Sequence, residues 1–322
     1  MDGKNTLIET KGLTKYYQAK KTLFSWHPGS AKAVDHVDLT IFENEVLGLV
    51  GESGCGKSTF GRTVLRLEEA TAGEVLYHGE DLLKLDRRQM WEKRSKLQII
   101  FQDVYSSLNP RMTVEDIVGA PLDNYEHLAA SERRGRIIDM LRDVGLEEEH
   151  LSRFPHEFSG GQRQRIGIAR ALIMDPEFVV CDEPVSALDV SVRAQVLNLM
   201  KDLQKKRNLT YLFISHDLSV VRHISDRVAV MYLGKIVEIA DRDELYDHPV
   251  HPYTQALLSA IPVPNPHRKR DRIILQGDVP DPYDPPSGCR FRTRCPYATE
   301  ACAGQIPPLK EVAPGHMAAC IR

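Results

Sequence analysis

The first part of the chain alternates apolar and polar residues. Between residues 6 and 49, side chains such as Val37, Leu39 and Ile41 fall on one face while polar residues fall on the other. Strands with one buried and one exposed face have this pattern. The alternation therefore predicts an antiparallel sheet in this part of the chain.

Later apolar stretches are short and continuous instead of alternating. They are residues 46–50, 97–101, 178–181, 211–214 and 228–231. Strands of a sheet that is covered by helices on both faces are apolar throughout. Because helical segments separate these stretches along the chain, the sequence predicts an α/β core.

Helical periodicity appears in two regions. We expect one helix from Lys57 to about Leu67. Further along, Glu132–Leu146 carries apolar residues at helical spacing, and Ser159 is placed to cap a helix that runs to about Met174. The second region predicts a helical subdomain of about residues 103–175, inserted between two core strands.

The apolar stretch 46–50 leads into a glycine-rich motif. It reads Gly51, Glu52, Ser53, Gly54, Cys55, Gly56, Lys57 and Ser58, which fits G-x-x-x-x-G-K-[ST], and Thr59 follows. Between a strand and a helix, such a loop surrounds phosphate oxygens with backbone N–H groups, while its lysine reaches the β- and γ-phosphates. We therefore predict that residues 51–59 bind ATP, with the Ser58 hydroxyl as a ligand of Mg²⁺.

Charged residues follow two of the later predicted strands. Asp182 and Glu183 come after residues 178–181, and His216 comes shortly after residues 211–214. Ligands of open α/β sheets bind at the carboxyl ends of the strands. We predict that Asp182 holds Mg²⁺ through its water shell and that Glu183 orients and polarises the attacking water. His216 is expected near the γ-phosphate.

A second anion site is predicted at the start of the helix that Ser159 caps. Ser159, Gly160, Gly161 and Gln162 combine a capping hydroxyl, two small residues and a helix N-terminus. The chain contains two such sites but one phosphate loop. We therefore expect this segment to complete a nucleotide site in another subunit.

Composition excludes some classes of protein. The 322 residues carry a net charge of −3, so there is no basic excess for nucleic acid, and we expect no nucleic-acid partner. No apolar run reaches the length of about 18 residues that a membrane helix needs, and no secretory signal pattern is evident. We expect a protein that stays in the cytoplasm and reaches a membrane through partners.

Together, the phosphate loop, Gln102, the segment 158–162, Asp182-Glu183, the segment 186–189 and His216 resemble the ATP-binding subunits of ABC transporters, over roughly residues 6 to 260. The resemblance implies a head-to-tail dimer in which each ATP lies between the phosphate loop of one subunit and the Ser159–Gln162 segment of the other. It also implies that Tyr17 stacks on adenine and that Gln102 contacts Mg²⁺ and signals to the membrane subunits. By the same resemblance, Asp189 lies in the loop that crosses between subunits.

A narrower resemblance involves the segments 105–110, 185–191 and 251–258, which are similar to the dipeptide/oligopeptide importer ATPases, a branch that includes nickel importers. It implies a second, distinct ATPase chain, two transmembrane permease subunits and an extracytoplasmic peptide-binding protein. The expected fold is a P-loop NTPase core with an antiparallel β subdomain and an inserted helical subdomain. We expect an ATPase domain over residues 1–262 and a cysteine-bearing extension over residues 263–322, separated by Pro262, Pro264, Pro266 and a basic run.

The extension contains Cys289, Cys295, Cys302 and Cys320, spaced C-x₅-C-x₆-C-x₁₇-C. Zinc sites favour closer C-x₂₋₄-C pairs, so these longer loops fit a larger cluster at least as well. Some members of the peptide-importer branch carry a [4Fe–4S] cluster at matching terminal cysteines, and the resemblance implies one here. Zinc, free thiols and disulfides remain alternatives at this stage.

The sequence therefore predicts an ATP-hydrolysing subunit of a peptide-type ABC importer, peripheral to the cytoplasmic face of the membrane. Two alternatives stay open. One is a soluble ABC ATPase that acts mechanically on nucleic acid or ribosomes, although such proteins usually have two cassettes or a long coiled-coil insertion. The other is an importer of nickel or another small solute, because the cargo is chosen by other subunits.

Overall fold

The computed structural model of the chain describes residues 4–18, 29–261 and 272–322. In these ranges the strands are β1 (Thr6–Gln18), β2 (Ser30–Phe42), β3 (Val46–Val50), β4 (Ala72–Tyr77), β5 (Glu80–Asp81), β6 (Leu97–Ile100), β7 (Phe178–Asp182), β8 (Thr210–Ser215), β9 (Arg227–Tyr232), β10 (Lys235–Asp241), β11 (Lys310–Ala313) and β12 (His316–Ala318). The helices are α1 (Lys57–Val64), α2 (Arg87–Lys93), α3 (Val104–Ser107), α4 (Val114–Tyr125), α5 (Ala130–Asp143), α6 (Gly160–Leu172), α7 (Val190–Arg207), α8 (Leu218–Ile224), α9 (Arg242–Asp247), α10 (Pro252–Ser259) and α11 (Ala301–Gly304).

The chain divides into two compact units. The first unit comprises Met1–Phe42, Val46–Leu83 and Ser215–Arg322, and the second comprises Glu43–Glu45 and Lys84–Ile214. The C-terminal extension thus belongs to the same unit as the phosphate loop. The expected boundary at residues 262/263, with its prolines and most of its basic run, lies outside the described residues.

The first unit contains the predicted antiparallel sheet, with strand order β2-β1-β4-β5. β1 and β2 pair in a register that places Ile8 opposite Ile41 and Leu13 opposite Val37. Val37, Leu39 and Ile41 are all buried, as the alternation of the sequence predicts. One face of this sheet therefore supplies part of the apolar core of the unit.

A second set of strands in the first unit carries the phosphate loop. β3 pairs in parallel with β9, β9 pairs antiparallel with β10, and β12 pairs antiparallel with both β10 and β11. Every residue of β3 and β9 is buried. Because β11 and β12 come from the extension, the C-terminal hairpin continues the sheet to which β3 belongs.

The second unit contains β6, β7 and β8, which are parallel with β7 in the middle. Every residue of β7 and β8 is buried, as their continuous apolar sequence predicts. The chain between β6 and β7 forms α3 to α6, and α7 connects β7 to β8. The second unit is thus an α/β structure with a helical segment between two of its strands, and the predicted fold class is confirmed.

Two helices end earlier than the sequence suggests. α1 ends at Val64 rather than Leu67, because Arg66 adopts a left-handed backbone conformation with φ 50°. α5 ends at Asp143 rather than Leu146, and Gly145 follows it with φ 71°. None of the helices in the described residues is long and apolar enough to cross a membrane.

Candidate nucleotide-binding site

The phosphate loop lies between β3 and α1, the setting that its motif requires. The Lys57 side chain is buried, and its Nζ donates hydrogen bonds to the carbonyl oxygens of Gly51 (2.8 Å) and Glu52 (3.0 Å). Gly56 has φ 107°, and a Cβ there would lie 1.9 Å from the Ala33 carbonyl oxygen. Only glycine fits this position. Gly56 directly precedes α1, so the phosphate loop ends at a helix N-terminus, whose N–H groups favour an anion.

The two adjacent tyrosines near the end of β1 have different surroundings. The Tyr16 hydroxyl donates to Asp35 at 2.5 Å, and burial, with this hydrogen bond, raises the pKa of Tyr16 to about 12. The Tyr17 side chain is 38% exposed, and its hydroxyl donates to the Glu68 carboxylate. Tyr17 is therefore the more exposed of the two residues, and its stacking on adenine stays a prediction.

The end of β7 brings three of the predicted site residues of the second unit together. Asp182 is buried, and Glu183 follows it with a left-handed backbone, φ 46°. The Glu183 N–H donates to the Ile214 carbonyl (3.1 Å), and the Gln102 side-chain amide donates to the Glu183 carboxylate (3.1 Å). Non-glycine residues adopt this backbone conformation rarely and often at functional sites. The side chains of Glu183 and Gln102 therefore meet at the end of β7.

His216, the one histidine of the predicted site, follows a different strand, β8. His216 lies between β8 and α8, in the first unit, and its side chain is exposed. The adjacent Asp217 caps α8 through hydrogen bonds from the N–H groups of Ser219 and Val220. The assignment of His216 near the γ-phosphate stays a prediction.

The segment Ser159–Gln162 opens α6 with a reciprocal cap. The Gln162 N–H donates to Ser159 Oγ (3.3 Å), and the Ser159 N–H donates to the Gln162 side-chain oxygen (3.1 Å). A Cβ on Gly161 would lie 2.4 Å from a methyl of Val192, whereas one on Gly160 would meet only an ordinary contact, with Leu188 at 3.7 Å. Packing within this unit therefore explains Gly161 but not Gly160.

Asp189 directly precedes α7. Its side chain makes no capping hydrogen bond, and its carbonyl oxygen accepts the Arg193 N–H at 2.8 Å. A capping hydrogen bond therefore does not explain the aspartate at this position. Its expected place in a subunit-crossing loop stays a prediction.

All four C-terminal cysteines line one cavity of about 170 Å³. None of the four is in a disulfide. Burial raises the pKa of the Cys289 and Cys295 thiols, whereas a hydrogen bond from the Thr299 N–H lowers the pKa of Cys302. Within the described ranges, no group of three or more His, Cys, Asp or Glu side chains is arranged to hold a metal ion. The structure therefore brings the thiols to one cavity without a formed metal site.

Sequence analysis missed two contacts on the phosphate loop. The Tyr253 hydroxyl accepts the backbone N–H of Glu52 at 2.8 Å, and Arg294 forms a two-point ion pair with the Glu52 carboxylate. Both partners lie about 200 residues or more beyond Glu52 in the chain, and no local sequence pattern indicates contacts between residues so far apart. Tyr253 lies within the segment 251–258, whose resemblance to peptide-importer ATPases is the one signal in the sequence that marks this region.

Comparison with known proteins gives two family matches. The ABC transporter family matches residues 34–186, and the oligopeptide/dipeptide transporter C-terminal region matches residues 237–302. The oligopeptide transport ATP-binding protein AppF of Bacillus subtilis is 52% identical over 318 residues, which cover 98% of this chain and 97% of AppF. A Brucella abortus protein, provisionally named a peptide import ATP-binding protein, is 53% identical over 98% of each chain.

Solved structures agree with this relationship. A dimeric bacterial ABC transporter cassette is 29% identical, with a TM-score of 0.65, and the alignment covers 73% of this chain and 99% of that one. A post-hydrolysis state of the cassette, bound to ADP and phosphate, aligns with the same TM-score. The chain therefore belongs to the ATP-binding proteins of ABC transporters, in the oligopeptide/dipeptide transporter branch.

Proposed function

We propose that this chain binds and hydrolyses ATP to energise an ABC importer of dipeptides and oligopeptides, at the cytoplasmic face of the membrane. The observation that carries the proposal is the similarity over 98% of the chain to an oligopeptide transport ATP-binding protein. The match of residues 237–302 to the oligopeptide/dipeptide transporter C-terminal region supports it. These similarities favour peptides as cargo over nickel, and transport over action on nucleic acid or ribosomes.

We propose that Lys57 exchanges its contacts with the Gly51 and Glu52 carbonyls for the β- and γ-phosphates of ATP. The other residues of the motif, Ser53, Gly54, Cys55 and Gly56, surround the phosphates with their backbone, and Thr59 completes the start of α1. Tyr17 stacks on adenine. Support comes from the buried ammonium group of Lys57, which a protein tolerates only with close oxygen partners, carbonyls or phosphates.

Three side chains are assigned to Mg²⁺: Ser58, Gln102 and Asp182. Oxygen donors of this kind suit a hard cation, and a bound Mg²⁺ would neutralise charge on the phosphates. Asp182 places a carboxylate at the carboxyl end of β7, the edge at which ligands of α/β sheets bind. Glu183 and His216 then act on the attacking water and the γ-phosphate.

The Glu183–Gln102 hydrogen bond supports a role of Gln102 in coupling the ATP site to the membrane subunits. Because Gln102 touches the residue assigned as catalytic base, a movement of Gln102 changes the position of that carboxylate. We propose that the two permease subunits act on Gln102 in this way. An extracytoplasmic peptide-binding protein delivers the cargo to these permeases.

We propose that the chain pairs head to tail with a second, homologous ATPase chain. In this arrangement Ser159, Gly160, Gly161 and Gln162 close on the ATP of the partner subunit, and Asp189 lies in the subunit-crossing loop. Gly160 supports the proposal, because neither its backbone nor its own packing requires glycine, whereas close approach of a ligand would.

We propose that Cys289, Cys295, Cys302 and Cys320 hold a [4Fe–4S] cluster. The donor set fits, because four thiols that are not in disulfides line one cavity. A bound cluster would cross-link the extension, in which few of the described apolar residues are buried. The raised pKa of Cys289 and Cys295 implies that these thiols release protons when they become ligands.

The experiment that tests the assigned chemistry compares two substitutions at the residues that flank β7. Glu183→Gln should leave ATP binding intact and reduce ATP turnover by about 100-fold or more, because the water loses its carboxylate partner. The matched control is Glu177→Gln, just before the opposite end of the same strand, which should keep the wild-type rate. Turnover by Glu183→Gln at close to the wild-type rate would contradict the assignment of Glu183 as the base.

A further inference from the structure

Two later parts of the chain, α10 and the C-terminal extension, hold the phosphate loop through one residue, Glu52. Its backbone N–H donates to the Tyr253 hydroxyl (2.8 Å), and its carbonyl accepts Lys57 Nζ (3.0 Å). Its carboxylate accepts two hydrogen bonds from the Arg294 guanidinium, at 2.7 Å and 3.1 Å. A two-point arginine–carboxylate pair fixes both distance and orientation, which a single contact does not. Glu52 is therefore fixed in its backbone and in its side chain.

The position of Arg294 is set by the extension. The Arg294 side chain is only 9% exposed, and its backbone N–H donates to the Phe291 carbonyl (3.0 Å) in the turn before Cys295. Phe291 is buried against Tyr232 and Tyr253, with ring centroids at 5.2 Å and 5.4 Å. The packed turn that contains Phe291 therefore places the Arg294 guanidinium against the phosphate loop.

The pair also has an electrostatic consequence for an anion-binding loop. A carboxylate on such a loop opposes phosphate binding unless its charge is neutralised. An arginine guanidinium keeps its positive charge in proteins, and that of Arg294 lies 2.7 Å from the Glu52 carboxylate. Arg294 therefore neutralises Glu52 and holds it aside at the same time.

We infer that Arg294 is a positioning residue for ATP binding. By fixing Glu52, it orders the carbonyl groups that hold Lys57 and keeps the loop ready for phosphates, so the extension contributes to ATP affinity without touching the nucleotide. This inference rests on the proposed ATP site and adds a role for the extension in it.

The test measures ATP affinity of the purified full-length chain by calorimetry, with wild type, Arg294→Ala, Glu52→Ala and the double variant. Arg294→Ala should weaken binding by about five- to tenfold, because the loop loses its preorganisation. In the Glu52→Ala background, the same substitution should change the affinity by less than about twofold, because its target is gone. The matched control is Arg292→Ala, whose side chain contacts Ser287 within the extension and should leave the affinity unchanged.

Two results would overturn the inference. One is an Arg294→Ala affinity within about twofold of wild type, and the other is an equal loss in both backgrounds, which would indicate direct contact with phosphate. If Arg294→Ala does not fold, as judged by circular dichroism, Arg294→Lys replaces it in the same comparison, since lysine keeps the charge but not the two-point contact. Lys57→Ala separates the two proposals: if it binds ATP like wild type, the proposed ATP site itself is wrong.

Discussion

His251 should make the stability of the first unit depend on pH. Its ring is buried and its Nδ1 accepts the Tyr253 backbone N–H at 3.1 Å, while the His251 backbone N–H donates to the buried Glu238 carboxylate at 3.0 Å. Burial lowers the pKa of His251 from 6.5 to about 4. The unfolded chain therefore binds a proton near pH 6 that the folded protein excludes, so the stability from neutral His251 is present above pH 6.5 and is lost as pH falls through about 4. The full difference corresponds to roughly 3 kcal/mol of unfolding free energy.

The assay is urea unfolding, followed by circular dichroism, between about pH 7.5 and about pH 4.5. His251→Asn keeps an acceptor at the start of α10 but cannot titrate, so its unfolding free energy should fall by roughly 2 to 3 kcal/mol less than that of wild type over this range. The matched control is His248→Asn, because His248 is exposed and should behave like wild type. If His251→Asn and wild type lose the same free energy on acidification, the reasoning from burial is refuted.

Three further predictions concern the nucleotide and metal sites. Lys57→Ala should weaken ATP binding by about tenfold or more, because the charge opposite the phosphates is removed; calorimetry measures this, and an unchanged affinity would contradict the assignment. Ser159→Arg should block closure on the ATP of the partner subunit while this chain still binds ATP; in mixed wild-type and mutant dimers, loss confined to the mutant chain's own phosphate loop would exclude the shared site. Anaerobically purified protein should be brown and contain about four irons per chain, and Cys302→Ser should lower that content; stoichiometric zinc, or four titratable thiols without metal, would exclude the cluster.

Local signals in the sequence predicted most of the fold. The alternation in β2, the continuous apolar runs of β3, β7, β8 and β9, and the Ser159 cap of α6 are confirmed. Each depends on residues within a few positions of one another, which is the range over which periodicity and capping act. The early end of α1 was not predicted, because nothing local marks Arg66 for a left-handed conformation, and Leu67, although apolar, is 45% exposed.

The candidate site was predicted where its residues form contiguous motifs. The phosphate loop and the Asp182-Glu183 pair are of this kind. The Gln102–Glu183 contact spans 81 positions in the chain, and only resemblance placed Gln102 in the site. The Glu52–Arg294 pair spans 242 positions and belongs to no motif, so it emerged only when the chain was folded.

The measurement that tests the central claim most directly is peptide-coupled ATP hydrolysis by the assembled transporter. It uses proteoliposomes that contain this chain, its partner ATPase and the two permeases, with the peptide-binding protein added. We predict that peptide-loaded binding protein stimulates ATP hydrolysis, that peptide crosses toward the ATPase side, and that Glu183→Gln in this chain lowers both rates together. ATP hydrolysis that ignores peptide, or peptide transport at the wild-type rate with Glu183→Gln, would contradict the claim.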